Sequence, residues 1–186
     1  MIQEFSVRNF LSIRDKQTIS FVATSDKTLS EELIIEPKPG VRLLRMSMIY
    51  GANASGKSNL LQAIQALWFL LFSPQEKEHK KIPIYQPFEL SKGEPTIFEI
   101  IFWANNRRYQ YILEHDSYSI LYEKMLYTSD KGILSDMYER KKGESIFFGS
   151  TIGIKAKQRD ELNRETLVNH TVLSTLNKKN INAPQV

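Results

Sequence analysis

The stretch Gly51-Ala52-Asn53-Ala54-Ser55-Gly56-Lys57-Ser58 fits the pattern G-x-x-x-x-G-K-[ST]. The apolar run of residues 46–50 precedes it and predicts a buried strand, and the helical spacing of apolar residues after Lys57 predicts an amphipathic helix. Glycines at both ends of the stretch can adopt positive φ angles and let the backbone approach an anion. The order of strand, glycine-rich loop and helix is typical of a phosphate-binding loop.

The residue types of this loop suit a nucleoside triphosphate, and we expect ATP with Mg²⁺ as the ligands. Main-chain N–H groups of residues 53–58 would converge on the phosphates, and the positive end of the helix dipole would point at the same place. The Lys57 ammonium would reach the β- and γ-phosphates, and the Ser58 hydroxyl would ligate Mg²⁺. The alternative interpretation is a glycine turn that binds nothing.

The first half of the chain predicts few further elements. Residues 2–8 alternate apolar and polar side chains and predict a strand, and residues 13–22 predict the strand that returns after a turn. Residues 25–40 are polar and contain prolines, so we expect mostly loop. The helix that starts at Lys57 should end at Ser73-Pro74. Its predicted apolar stripe consists of Leu60, Leu61, Ile64, Leu67, Trp68 and Leu71.

The second half of the chain predicts an antiparallel β-meander followed by helices. Residues 96–103 and 108–114 are rich in β-branched and aromatic side chains and flank the turn signal Asn105-Asn106. Residues 119–128 and 145–148 predict further strands. The remaining predictions are a charged connector at 76–81, one or two helices within 159–179 and a frayed tail at 180–186.

Composition narrows the function classes. The chain has 186 residues, 41% of them apolar and 25% charged, which is ordinary for a folded domain and excludes global disorder. It has no cysteine, so disulfides and thiolate chemistry are excluded, and its three histidines lie far apart in sequence. The longest apolar stretch, residues 67–72, is too short for a membrane span, and no secretory signal opens the chain. We therefore expect a cytoplasmic protein with no membrane partner.

Three positions in and after the loop carry a family resemblance. With Asn53, Ser55 and Asn59, the segment resembles the Walker A loop of the SMC/RecF branch of ABC-type ATPases. Residues 5–13 look like the opening strand and "NF" turn of those proteins. Within the branch, the chain most resembles AAA-type ATP-binding proteins of bacterial phage-defence and OLD-like systems, in which a segment like residues 86–90 precedes a β-meander.

The resemblance implies an α/β P-loop NTPase half-domain of the ABC/SMC type with an antiparallel β subdomain. It also implies an ATPase that hydrolyses ATP in a dimeric or larger assembly, with Lys57 as catalytic residue and Ser58 as Mg²⁺ ligand. One departure is Leu11, where several relatives carry a basic residue near the nucleotide. Contacts from this turn would then come from backbone or from Asn9, Ser12 or Arg14. The predicted cofactor-binding residues are Gly51, Ala52, Asn53, Ala54, Ser55, Gly56, Lys57, Ser58 and Asn59.

Two stretches imitate the missing parts of such an ATPase. Residues 90–94 read Leu-Ser-Lys-Gly-Glu, like a signature loop, and residues 109–116 end an apolar run in acids, like a Walker B strand. We reject the first because a signature loop must open a helix, whereas residues 96–103 predict a strand. We reject the second because residues 108–114 predict a hairpin arm rather than a central strand.

The sequence is therefore expected to hold a single N-terminal ATPase lobe that stops before the signature and Walker B elements. Its predicted parts are residues 1–75 with the phosphate loop, residues 82–150 with the meander and residues 158–180 with the helical segment. Residues 169–174 lie near the expected Q-loop, although no glutamine marks it. Completion by a homodimer or by a C-terminal lobe is implied.

Two other function classes remain open at this stage. The first is a non-catalytic interaction module, in which ATP orders a surface for a nuclease or DNA partner. The second is a small P-loop kinase or GTPase. A GTPase should carry an N-K-x-D base reader, and residues 177–180 match only its first two positions. A kinase should carry an arginine-rich lid, whereas Arg107 and Arg108 fall in the predicted hairpin.

Overall fold

The computed structural model describes residues 1–73 and 80–179. The predicted connector at 76–81 lies partly outside these residues; Pro74, His79 and the predicted tail at 180–186 lie wholly outside them. The strands are β1 (Ile2–Arg8), β2 (Gln17–Ser20), β3 (Ile34–Lys38), β4 (Val41–Leu44), β5 (Thr96–Ala104), β6 (Arg107–His115), β7 (Ile120–Thr128), β8 (Leu134–Lys141) and β9 (Phe147–Phe148). The α-helices are α1 (Ser30–Leu33), α2 (Lys57–Phe72), α3 (Ala156–Glu165) and α4 (Val172–Lys178).

A seven-stranded antiparallel sheet dominates the fold, in the order β2-β1-β5-β6-β7-β8-β9. The β5–β6 hairpin turns at Asn105 and Asn106, whose φ angles of 49° and 60° are those of a tight two-residue turn. The predicted hairpin and the strands predicted at 2–8 and 119–128 are therefore confirmed. β8 was not predicted, because its sequence Leu-Ser-Asp-Met-Tyr-Glu-Arg-Lys has too few apolar residues to show a strand pattern.

Helix α2 covers the inner face of this sheet. It begins at Lys57 as predicted, but its buried residues are Ala63, Ala66, Leu67, Leu70 and Leu71. The predicted stripe is therefore partly wrong, since Leu61 and Trp68 are more than half exposed. The helix is apolar on more than one side, so its pattern alone could not show which side meets the sheet. The two alanines allow close packing against the core.

The segment before the phosphate loop is not the buried strand that the sequence predicts. Residues 46–50 form no strand, and all five are exposed, Tyr50 to 83%. Within the described residues, no backbone–backbone hydrogen bond involves this segment. The prediction is wrong because an apolar run becomes a strand only beside a partner, and the described strands pair with one another elsewhere.

The prediction of mostly loop for residues 25–40 is also wrong in part. α1 is followed there by the β3–β4 hairpin, in which Ile34 lies opposite Leu44. Gly40 has a φ angle of +83° and allows the tight return after Pro39. A bridge between Val22 and Leu43 attaches this hairpin to the end of the β2 segment.

A buried carboxylate joins the helical segment to the meander. Glu123 accepts hydrogen bonds from the hydroxyls of Tyr111 and Tyr138, at 3.0 and 2.8 Å, and from the Val172 backbone N–H at 2.8 Å. Burial raises the pKa of Glu123, while these hydrogen bonds and the Arg140 charge oppose the rise. Because Val172 is the first residue of α4, the carboxylate fixes the start of that helix against the sheet.

The result is an antiparallel sheet covered by helices, which is compatible with an α/β P-loop fold. In residues 1–73 and 80–179, no helix has the length and apolar character needed to cross a membrane.

Candidate nucleotide-binding site

Residues 51–56 form a tight loop that leads into the N-terminus of α2. Gly56 has a φ angle of +89° and is the N-cap residue of the helix, and Ala54 also has a positive φ of 62°. A Cβ atom on Gly56 would lie 3.2 Å from the Ser12 hydroxyl oxygen, and one on Gly51 would lie 2.9 Å from that of Ser55. A Cβ at either glycine would therefore crowd a serine hydroxyl, and the backbone angle of Gly56 additionally favours glycine there.

The helix N-terminus at this loop has the polarity that an anion needs. No side chain caps the first turn of α2, and that turn carries no acidic residue. The helix has 16 residues, so the positive end of its dipole is well developed. Ser58 lies in this first turn with an exposed side chain, where it could meet an ion bound at the loop.

The Lys57 side chain folds back across the loop. Its ammonium donates hydrogen bonds to the carbonyl oxygens of Gly51 and Ala52, at 2.8 and 2.6 Å, and lies 3.5 Å from the Ser55 hydroxyl. The cation is therefore already inside the curve of the loop. Phosphate oxygens entering there could replace the two carbonyls as its partners.

A cleft of about 500 Å³ lies beside the loop. One wall is the loop and the start of α2; the other is the turn of residues 9–15 that joins β1 to β2. Two segments about forty residues apart in sequence therefore form one concave site. The lining residues are Ser12, Ile13, Arg14, Asp15, Gln17, Ile49, Tyr50, Ser55, Gly56, Lys57 and Leu60.

Asn59 and Ser12 connect these two walls. The Asn59 side-chain amide donates a hydrogen bond of 2.6 Å to the Ser12 hydroxyl oxygen. The sequence did not predict this contact, because nothing local in either segment signals a partner 47 positions away. Arg14, which the resemblance offered as one source of a contact from this turn, is exposed and lines the cleft.

Asn9 does not face the cleft, contrary to its place among the predicted contacts. It is completely buried, and its side-chain N–H₂ group donates to the carbonyls of Ser91, Glu94 and Pro95. Its side-chain oxygen accepts from the Phe88 N–H at 2.9 Å. Both ends of the amide are therefore used to attach residues 88–95 to the β1–β2 turn, and none is left for a ligand.

The two imitations of catalytic motifs are rejected by the secondary structure as well. Residues 89–91 form a short 3₁₀ turn that leads into β5, so the Leu-Ser-Lys-Gly-Glu stretch opens no α-helix. Glu114 lies in the second arm of the β5–β6 hairpin, and Asp116 accepts hydrogen bonds from the N–H groups of Tyr118 and Ser119. Residues 169–174, near which the Q-loop was expected, lie at the start of α4 and are buried except for the half-buried Leu173.

The described residues supply no metal centre made of protein groups alone. Across residues 1–73 and 80–179, no three His, Asp or Glu side chains come close enough together to hold an ion. Mg²⁺ commonly takes only one or two protein ligands and completes its shell with phosphate oxygens and water. The single hydroxyl of Ser58 beside the loop fits that mode of binding.

Comparison with known proteins identifies the family. The profile of one protein family, described as "AAA domain, putative AbiEii toxin, Type IV TA system", matches residues 46–168. Among curated proteins, none matches the chain. The matched range contains the loop, α2 and the whole β5–β8 meander. AAA domains of this kind are nucleotide-binding P-loop ATPases of phage-defence and abortive-infection systems, as the resemblance predicted. Because the match covers well over half of the sequence, the chain belongs to this AAA domain family.

Proposed function

We propose that the chain binds ATP with Mg²⁺ through residues 51–59 and forms part of an SMC/RecF-like ATPase. One observation carries the proposal. The Lys57 ammonium, the uncapped N-terminus of α2 and the positive-φ loop all face the same small space. That combination suits a chain of phosphates and little else, because it offers several donors and a cation with no acidic group in the first helical turn.

Lys57 and Ser58 have separate roles in this proposal. Lys57 exchanges the Gly51 and Ala52 carbonyls for the β- and γ-phosphates, where it stabilises the charge that develops during phosphoryl transfer. The Ser58 hydroxyl would be a ligand of Mg²⁺. The metal, when bound with the nucleotide, would neutralise part of the phosphate charge. The loop N–H groups hold the phosphates in line.

Calorimetry with the full chain tests the binding. Lys57→Ala should weaken Mg·ATP binding by at least about tenfold, since it removes a charge-assisted contact of about 1.5–3 kcal/mol. Lys38→Ala, at an exposed lysine in β3, is the control for loss of one positive charge and should leave affinity within about twofold. Equal losses in the two variants would refute the site. Competition between ATP and GTP separates this proposal from a GTPase.

We further infer that efficient hydrolysis requires groups from outside the described residues. Neither the loop nor the first turn of α2 carries a carboxylate, and residues 109–116 belong to a hairpin. Asp15 lines the cleft, but it lies on the turn of residues 9–15 opposite the loop. The isolated chain should therefore bind ATP and turn it over very slowly. Fast Mg²⁺-dependent turnover would contradict this, and its loss in Glu114→Gln would point to residues 109–116 as the source of the acid.

The apolar surface beside the loop supports completion by a partner segment, either a second lobe or a second copy. Residues 46–50 are exposed, apolar and without backbone hydrogen bonds within the described part of the chain. α2 also exposes Leu61 in its first half and Trp68 and Phe72 toward its C-terminal end. Large apolar side chains that stand exposed close together are commonly covered by a partner. An apolar β-strand that pairs with residues 46–50 would cover the part of this surface beside the loop.

A further inference from the structure

We propose that the Asn59–Ser12 hydrogen bond sets the position of the β1–β2 turn against the phosphate loop, and so tunes affinity for the nucleoside half of a bound nucleotide. Within the proposed ATP-binding segment of residues 51–59, Asn59 then contributes by positioning the turn, and the direct contacts with ATP come from residues 51–58. The inference rests on the proposed function and adds to it the residues that shape the second wall of the cleft. Its basis is the 2.6 Å contact from the Asn59 amide to the Ser12 hydroxyl.

The β1–β2 turn is rigid on its own. Phe10 and Ile13 exchange two backbone hydrogen bonds of 2.8 Å, and the Asn9 N–H donates to the Arg14 carbonyl at 3.1 Å. The Leu11 N–H donates to the Gln86 carbonyl at 2.8 Å, which attaches the turn to the segment before β5. The turn therefore moves as one body, and a single contact between the turn and the phosphate loop region can fix the distance between them.

The Asn59–Ser12 hydrogen bond is that contact. Among the hydrogen bonds of residues 1–73 and 80–179, it alone joins the turn of residues 9–15 to the segment of residues 46–60. The Ser12 hydroxyl also stands 3.2 Å from the position of a Cβ on Gly56, so the turn rests directly against the N-cap of α2. Asn59 is the third residue of that helix, within its first turn, and its side chain is directed toward the β1–β2 turn.

The two walls differ in what they offer a ligand. The loop wall carries Ser55, Gly56 and Lys57, which are suited to phosphates. The turn wall carries Ile13, an apolar surface, and the charged residues Arg14 and Asp15. In the proposed binding mode a nucleotide with its phosphates at Lys57 extends along the cleft, and its nucleoside half packs on Ile13 of the turn wall. Loss of the Asn59–Ser12 hydrogen bond therefore weakens contacts with the nucleoside and spares those with the phosphates.

The test measures binding of Mg·ATP and of Mg·tripolyphosphate, which lacks the nucleoside, to the full chain by calorimetry. The variants are Ser12→Ala, Asn59→Ala and the double variant. Each should bind ATP about fivefold more weakly, the effect of one hydrogen bond of about 1 kcal/mol. The double variant should be no weaker than either single variant, because all three lose the same interaction. Tripolyphosphate affinity should stay within about twofold throughout. Ser12→Thr, which keeps the hydroxyl, should bind ATP as the unaltered chain does.

Other outcomes would overturn the positioning role of the Asn59–Ser12 hydrogen bond. An equal loss for ATP and tripolyphosphate in Asn59→Ala would make Asn59 a phosphate ligand. Additive losses in the double variant would mean that Ser12 and Asn59 act independently, and no loss in any variant would remove their role. Failure of the proposed function has a different signature, since the unaltered chain would then bind neither compound. Melting temperatures of the variants distinguish weakened binding from unfolding.

Discussion

The pH dependence of stability should be set in large part by His115, the last residue of β6. The imidazole is completely buried, stacks on Phe98 at a centroid distance of 5.8 Å and meets Tyr85 edge-on. Its Nδ1 atom lies 3.0 Å from the Asp116 carbonyl oxygen, while Nε2 has no hydrogen-bond partner among the described residues. Protonation would place a charge where no acceptor faces Nε2.

Burial accordingly lowers the pKa of His115 from 6.5 to about 4. The unfolded chain therefore binds a proton at a pH where the folded chain does not, and stability is lost as the pH falls from 6.5 toward 4. At about 1.4 kcal/mol for each pH unit, the difference between the two pKa values corresponds to about 3 kcal/mol of unfolding free energy. That is a large part of the 5–15 kcal/mol typical of a domain.

Replacement of His115 by Phe tests this value. The ring can keep its place between Phe98 and Tyr85, but it no longer titrates. Urea unfolding followed by tryptophan fluorescence from pH 4 to pH 7.5 gives the free energy of each protein. As the pH falls from 7 to 4, the variant should retain about 3 kcal/mol that the unaltered chain loses. Acidic groups that titrate in both proteins contribute equally to the two curves, so their contributions cancel in the difference between them. Parallel curves across this range would refute the assignment.

Three further predictions concern the buried carboxylate, the loop and the exposed face of α2. Glu123→Ala should lower the unfolding free energy by about 3–5 kcal/mol in urea titrations, because it leaves the buried donors of Tyr111, Tyr138 and Val172 without an acceptor and removes the negative charge near Arg140. Gly56→Ala should lower the unfolding free energy by about 1–2 kcal/mol because of the positive φ at this position, and it should weaken ATP binding. The control is Gly93→Ala, whose Cβ would meet nothing within 4 Å and which should have neither effect. Trp68→Glu should reduce concentration-dependent light scattering, while Tyr118→Glu, at an aromatic residue of similar exposure, should not.

The elements that sequence could predict are those whose signal is local. The β5–β6 hairpin is rich in β-branched and aromatic residues and has two asparagines at its turn, and each of these favours the same structure without reference to the rest of the chain. The start of α2 and the positive φ of Gly56 are likewise contained within the motif at residues 51–58. β8 has a weaker local pattern and was missed for that reason.

The parts that could not be predicted depend on distant neighbours. Residues 46–50 have the composition of a strand but no described partner, so composition alone gave the wrong answer. The buried side of α2 is chosen by the sheet and not by the helix. In the candidate site, Lys57 was found from its motif, whereas the Ser12–Asn59 contact arises only when β1 and α2 meet in the fold.

The position of β1 in the sheet has a consequence for how the chain folds. β1 lies between β2, its neighbour in sequence, and β5, where Val7 pairs with Phe98 about ninety residues later. The N-terminal amine even donates to the Trp103 carbonyl at 2.7 Å. Closing so long a loop is slow, and during synthesis β1 must wait until β5 has left the ribosome. The β5–β8 meander, built from successive hairpins, can form without that delay and then serve as the template onto which β1 adds.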